Sequence, residues 1–254
     1  KSVVLGAPPE VNLSLIISNI LARGKVLYKG HAVAAVAASS IHAAEDALSL
    51  IDVEYEVLPH VVDVESAMEK QAPKLHDKFE GNVASHIKME QGDINEGFAE
   101  ADIIIEREYR TKSVHQGYLE PHTATASWTP NGRITIWCSS QGHFPVRERT
   151  AAILGVSPSL INVVPLEIGG GFGGKTVIYL EPVAALLSRE TGSPVKITMS
   201  RSEVMEATGP TAGSYMKVKM GATKNGNLIA AQADLRYEAG AFPGSPVNYG
   251  AMCM

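Results

Sequence analysis

Gly169-Gly170-Gly171-Phe172-Gly173-Gly174-Lys175-Thr176 places five glycines in eight residues, and no other stretch constrains the fold as tightly. An apolar run, Ile161 to Ile168 (INVVPLEI), precedes it and reads as a strand, with Pro165 marking an edge or a bulge. A helix pattern across Tyr179 to Glu190 follows, with Gly192 as its stop. A glycine loop between strand and helix removes the Cβ atoms that would hold a ligand away. Its N–H groups and the helix N-terminus then face one anionic or oxo-rich group. The string also satisfies the nucleotide P-loop pattern G-x-x-x-x-G-K-[ST], so a P-loop module through Gly169–Thr176, using Lys175 and Thr176, is an alternative. Against it, only a short tail follows the loop. In that tail Gln232 interrupts the apolar run toward Asp234 that would supply a Mg²⁺ ligand.

The flanking pattern is rich in hairpins rather than alternating βαβ units. Strands are predicted over Asp102–Thr111, Thr123–Trp128, Arg133–Trp137, Val195–Met199, Tyr215–Met220 and Leu228–Tyr237. Thr129-Pro130-Asn131-Gly132 and Lys224-Asn225-Gly226-Asn227 are turn signals between them. A helix from about Pro145 to Leu154 ends at Gly155. Before residue 90 the chain is acidic and reads as strand, helix, strand. An apolar run Val33–Ala38 leads to a helix opened by Ser39-Ser40, and Val53-Glu54-Tyr55-Glu56-Val57 alternates as a half-buried strand. A short helix opens at Val64–Met68, and Gln71–Asn82 reads as an exposed connection. Strands with a few covering helices give an α+β class.

Composition narrows the function classes. With 254 residues, 45% hydrophobic and 19% charged, the chain is no disordered tail, collagen-like repeat or disulfide mini-protein. A net charge of -5 excludes a nucleic-acid footprint, and no run reaches the roughly 18 to 20 apolar residues of a membrane helix. Two cysteines, Cys138 and Cys253, stand far apart without a CxxC partner, so no Cys-built zinc or iron–sulfur site is expected. They suit a cytoplasmic protein, with Cys138 as a packing residue. The first residues, Lys1-Ser2-Val3-Val4, lack both a Met and a signal-peptide layout, as expected for a piece of a longer chain.

Two further elements could carry chemistry. Gln141, in Ser139-Ser140-Gln141-Gly142-His143, follows a strand and offers an amide donor and a carbonyl acceptor toward a pocket. Glu120 and His122, in Gly117-Tyr118-Leu119-Glu120-Pro121-His122, could be an acid/base pair or metal ligands, or a structural polar network at a strand entry.

In this order, the three elements resemble the molybdenum-cofactor subunit of the xanthine dehydrogenase and aldehyde oxidase family, the molybdenum hydroxylases. The likeness covers nearly the whole chain. Val26-Leu27-Tyr28-Lys29-Gly30-His31 through Val53 to Pro59 is similar to the family's α/β hammerhead domain. Gly92-Asp93, Gly97-Phe98, Ala101-Asp102 and Glu106 resemble the passage into the molybdopterin-binding region. The implied organisation is a hammerhead domain over 1–98, with N-terminal truncation left open, then the first part of a mixed-sheet molybdopterin-binding domain over 99–254, C-terminally truncated.

The resemblance implies that Gln141 hydrogen-bonds an oxo ligand of molybdenum, and that Gly171, Phe172 and Gly173 form the loop approaching the metal and its dithiolene. The pterin sulfurs bind the molybdenum, so no protein metal ligand is implied. Both the plain pterin and a pterin dinucleotide form are compatible with the resemblance. The implied reaction is hydroxylation of an electron-poor carbon, of aldehyde or N-heterocycle type, with oxygen from water. Electrons leave through [2Fe-2S] clusters toward FAD on partner domains or subunits. Glu120 and Thr176 are substrate-side candidates. Thr176 stands where purine-oxidising relatives carry a glutamate, which points away from a xanthine-type substrate. Glu120-Pro121-His122 resembles bacterial branches acting on carbon monoxide, nicotinate or aromatic thioesters. The family's base glutamate and later arginine loop have no match here, so the chain alone is expected to be catalytically incompetent and to need the rest of its subunit. A cofactor-free assembly module on the same scaffold is the remaining alternative.

Overall fold

The computed structural model describes residues 13–77 and 81–242. In chain order the helices and strands begin with α1 (Leu13–Ile20), α2 (Ile41–Ser49), α3 (Val64–Ala67) and α4 (Ile94–Ala99). There follow β1 (Ile103–Thr111), β2 (Thr123–Trp128), β3 (Ile134–Cys138), α5 (His143–Leu154), β4 (Ile161–Pro165) and α6 (Glu181–Thr191). The last are β5 (Val195–Thr198), α7 (Arg201–Ala207), β6 (Ser214–Ala222) and β7 (Leu228–Tyr237). The class is α+β, as the sequence predicts, and the chain divides into two compact units, each assembled from separate stretches.

One unit takes residues 12–58 and 115–210. Its mixed sheet has the order β4-β3-β2-β5. The β2–β3 hairpin turns at Thr129–Gly132, where the Gly132 N–H donates to the Thr129 carbonyl at 2.9 Å. From β3 the chain crosses through α5 to β4, which runs parallel to β3 and occupies a sheet edge. That edge place tolerates Pro165, which has no N–H to donate, and the strand ends there instead of reaching Ile168. Helices α5 and α6 stop at Gly155 and Gly192, both left-handed at φ 67° and 65°.

Alternation along β2 and β3 explains the core. Ala124 and Ala126 on β2 and Ile134, Ile136 and Cys138 on β3 point inward. They pack with Val146 and Ala151 of α5 and with Ala184 and Ala185 of α6. Small side chains on both β2 and α6 let helix and sheet approach closely. Ser188 of α6 then accepts the Trp128 N–H at 2.9 Å.

Helix α7 escaped the sequence reading, although Ser200-x-x-Glu203 is a capping-box signature. Ser200 Oγ accepts the Glu203 N–H at 3.2 Å, and the Glu203 carboxylate accepts the Ser200 N–H at 2.6 Å. The cap places Arg201, whose guanidinium donates to the carbonyls of Tyr118 (2.9 Å) and Leu119, just before Glu120. We expect Ser200→Ala to cost about 1 kcal/mol in urea unfolding. An unchanged midpoint would count against the cap.

The other unit comprises residues 1–11, 59–114 and 211–254. Its antiparallel sheet has the order β1-β6-β7. Helix α4, capped by Asp93, lies on it with Gly97 against the Ile229 carbonyl. Arg110 of β1 forms a bidentate pair with Glu65 of α3 at 2.9 and 3.1 Å. Beyond β1, Val114 and Thr211 exchange two backbone hydrogen bonds, at 3.2 and 2.8 Å.

Two expectations fail. Val33–Ala38 and Val53–Val57 form no strand, and Tyr55 and Val57 are 57% and 88% exposed. A period-two pattern becomes a strand only when another strand satisfies its N–H and C=O groups, and none of the described residues pairs with either segment. Helix α2 forms from Ser40 as predicted, with no residue buried. The described part of Gln71–Asn82 is irregular and in places half-buried, tied down by Asn82, which bonds Leu75, Ala67 and Pro73. Cys138 packs in the core as expected, and Cys253 lies outside the described residues. Among the described residues no helix is long and apolar enough to cross a membrane.

Candidate functional site

The glycine run joins the end of β4 to α6 and folds back on the segments before β2 and after β3. Three of its glycines are there for space. A Cβ on Gly169 would lie 2.6 Å from Glu120 Cβ, one on Gly171 2.5 Å from Gln141 Oε1, and one on Gly174 2.8 Å from the Tyr118 ring. Gly170 and Gly173 instead supply backbone at φ 96° and 90°, which L side chains rarely adopt. Phe172 between them is left-handed at φ 49°, unusual for a bulky residue, with its side chain mostly exposed. The run closes on itself through the Gly174 N–H to the Gly171 carbonyl at 2.7 Å and the Thr176 hydroxyl to the Gly173 carbonyl at 2.9 Å.

Gln141 is locked onto this loop. Its Oε1 accepts the N–H groups of Gly173 at 3.0 Å and Lys175 at 3.1 Å, and its own N–H donates to the Lys175 carbonyl at 2.9 Å. Two donors at one end of the amide settle which end is oxygen, so the NH₂ is the end left to a ligand. Ser140 lies beneath, its hydroxyl donating to the Lys175 carbonyl at 3.3 Å.

Glu120 meets the other side of the run. Its Oε2 accepts the Gly169 N–H at 2.8 Å and lies 2.6 Å from Lys175 Nζ, whose side chain is wholly buried. Burial works to raise the Glu120 carboxyl, but the Lys175 ammonium and the Gly169 N–H outweigh it and hold the group below the usual range. Ionised and bound to an ammonium, Glu120 is an acceptor rather than a proton donor.

His122 belongs to a different set of bonds. It is buried, with Nε2 2.8 Å from the Tyr118 hydroxyl, which also lies 3.1 Å from Thr208 Oγ1; His115 Nε2 meets that same Oγ1 at 2.8 Å. Burial, aided by the Lys175 charge, pushes the His122 imidazole down to about 4, so it is neutral at ordinary pH. The structural polar network is therefore the right reading of His122, while Glu120 belongs to the loop. Behind β3 the Cys138 thiol is raised to about 12 by burial beside the buried carboxyl of Glu181, itself raised by burial. This is a packing thiol and not a nucleophile.

All six sequence-predicted site residues, Glu120, Gln141, Gly171, Phe172, Gly173 and Thr176, meet in this one loop system. Sequence reasoning missed how Lys175, Tyr118 and Arg201 support it. In the sequence Lys175 is a P-loop lysine or the end of the cofactor motif Ile168–Lys175, and the geometry removes the first reading. Its ammonium is sealed against Glu120, the Thr176 hydroxyl donates to the loop, and α6 begins only at Glu181. A P-loop needs that lysine, that hydroxyl and the helix start at its phosphates. Among the described residues no group of three or more His, Cys, Asp or Glu could hold a metal ion. The cradle fits a cofactor that brings its own metal ligands: it offers an outward amide donor and a backbone that Cβ atoms would block.

Comparison with known proteins agrees. Residues 75–254 match the family model of the molybdopterin cofactor-binding domain, and residues 9–59 that of the aldehyde oxidase and xanthine dehydrogenase a/b hammerhead domain. The chain is 33% identical over 223 residues to a probable xanthine dehydrogenase subunit of Bacillus subtilis, covering 88% of this chain and 30% of that protein. It is 32% identical over 237 residues to the nicotinate dehydrogenase large molybdopterin subunit of Eubacterium barkeri, covering 92% and 55%. Among solved structures it is similar to reconstituted CO dehydrogenase from Oligotropha carboxidovorans, with TM-score 0.76, 30% identity and coverage of 85% of this chain and 29% of that one. It is also similar to quinoline 2-oxidoreductase from Pseudomonas putida 86, with TM-score 0.77, 29% identity and coverage of 85% and 28%. The chain thus spans between a quarter and just over half the length of these relatives. Matched in this way over most of its length, the chain belongs to the molybdopterin-binding oxidoreductases of the aldehyde oxidase and xanthine dehydrogenase family.

Proposed function

We propose that Gln141, Gly171, Phe172 and Gly173 hold a molybdenum–molybdopterin cofactor, and that the chain forms the hammerhead portion (1–98) and part of the cofactor-binding portion (99–254) of a hydroxylating oxidoreductase. The carrying observation is the capture of Gln141 Oε1 by two loop N–H groups, which leaves the amide NH₂ as a fixed donor beside the left-handed Phe172. When bound, the group supplies oxidative hydroxylation of an electron-poor carbon, the oxygen coming from water. The chain contributes orientation. Gln141 donates toward the cofactor, while Gly171 and Gly173 keep side chains out of its way.

On the substrate side stands Glu120, whose Oε2 is committed to Lys175 and Gly169. Thr176 directs its hydroxyl back into the loop and so acts by closing it. The substrate class is an aldehyde or an N-heterocycle. Two relatives named for N-heterocycles, nicotinate and quinoline, support the second. Iron–sulfur and FAD partners receive the electrons in this reading, and the pterin is either the plain form or a dinucleotide.

The test is the enzyme purified from cells with whatever subunits accompany it, analysed for molybdenum and released pterin. Stoichiometric molybdenum is expected in the wild type, and Gln141→Leu should lower retained molybdenum or turnover of an N-heterocycle roughly 10- to 100-fold. A wild-type preparation free of molybdenum and pterin would sink the proposal.

A further inference from the structure

Lys175 reaches every part of the loop system. Its side chain is wholly buried, with Nζ 2.6 Å from Glu120 Oε2 and 5.0 Å from the centroid of the Tyr118 ring. The same Glu120 oxygen takes the N–H of Gly169, so one carboxylate atom ties the first residue of the run to the lysine that ends it. From the other side, the Lys175 N–H donates to Gln141 Oε1, and the Lys175 carbonyl accepts the Gln141 N–H and the Ser140 hydroxyl. The ammonium fixes the residue, and the peptide groups of that residue fix Gln141.

An ammonium is a costly way to fill space. Burying one is unfavourable unless a counter-charge meets it, and an apolar side chain of similar length would fill the same volume without that cost. The charge adds direction: among the described residues one carboxylate meets this ammonium, which ties the end of the loop to Glu120. We propose that Lys175 is a positioning residue for the cofactor, a latch on Glu120 that selects the loop conformation in which Gln141 turns its NH₂ outward. This rests on the molybdopterin reading above. Without the latch the amide is free to rotate and present its carbonyl, which cannot donate to an oxo group.

Three variants of the purified enzyme test the latch: Lys175→Met, Glu120→Gln, and the two together. Each single change strands or dissolves one charge and should lower the thermal midpoint. The double variant, with no charge left uncompensated, should recover most of the loss. Retained molybdenum should nevertheless stay about tenfold down in the double variant, as outer-sphere changes at metal sites produce. Its Gly173 and Lys175 amides should exchange with deuterium faster than in the wild type, and the Mo(V) resonance spectrum should broaden as the loop samples several conformations. A merely structural lysine would give the opposite result. If the double variant recovers molybdenum content, spectrum and amide protection together with its midpoint, the proposal is overturned. The exchange measurement needs no metal. A wild type without molybdenum would therefore remove the cofactor reading, while equal amide protection in wild type and double variant would remove the latch.

Discussion

Gly171→Ala should strip the protein of its cofactor while leaving it folded. The new Cβ would sit 2.5 Å from Gln141 Oε1, 2.8 Å from its Cδ and 3.0 Å from its Cγ, closer than real Cβ contacts allow. Gln141 must therefore swing off the loop and release the N–H groups of Gly173 and Lys175. Two lost hydrogen bonds amount to about 2 kcal/mol of stability. If Gln141 donates to the cofactor as proposed, the effect on cofactor retention should be larger, roughly 10- to 100-fold, because that donor has moved. Gly132→Ala is the control. At φ 84° with nothing within 4 Å, it should cost about 1 kcal/mol of backbone strain and leave molybdenum content unchanged. Equal molybdenum in the two variants would mean that Gln141 does not face the cofactor.

Acid should weaken the fold through His122, and over a defined range. The imidazole is 5% exposed, bonded to the Tyr118 hydroxyl and met edge-on by the Tyr179 ring at 5.3 Å. Its pKa falls from 6.5 in the unfolded chain to about 4 in the folded one, burial being the main cause and the Lys175 charge the next. Above pH 6.5 the ring is neutral in both states and contributes no pH dependence. Between 6.5 and 4 the unfolded chain takes up a proton that the folded chain refuses, so stability falls as pH falls, by about 3 kcal/mol in all. Below pH 4 both states are protonated and this loss is complete. Urea unfolding at pH 7, 5.5 and 4 should show the decline, and His122→Gln should flatten it. Parallel curves for variant and wild type would assign the acid sensitivity elsewhere.

Where local chemistry decides the structure, the sequence is readable. The Thr129–Gly132 turn, the stops at Gly155 and Gly192 and the alternation in β2 and β3 each act within a few residues, and each forms where predicted. Val53–Val57 carries an equally clear alternation and forms no strand, because a strand's partner is supplied by distant chain. The site divides in the same way. Gln141, Gly171, Phe172 and Gly173 are singled out by order and residue type, and the structure brings them into one loop system. The contact of Lys175 is not legible there, because it is made with a carboxylate 55 residues away that no spacing rule connects to it. The capping box at Ser200–Glu203 is readable in the sequence, and its value shows only once Arg201 is seen gripping the turn before Glu120.

The paired hydrogen bonds between Val114 and Thr211 also bear on the order in which the chain can fold. Strand β1 must find β6 across all of residues 112–213, a long search for an unstructured chain. Nearly all of those residues, however, belong to the segment 115–210, whose two ends are joined to the hydrogen-bonded pair Val114 and Thr211. If that segment folds first, it delivers its two ends as neighbours, and the distant pairing of β1 with β6 becomes a short-range zipping. Any variant that slows the inserted segment should therefore delay the three-stranded sheet as well, although it touches none of its strands.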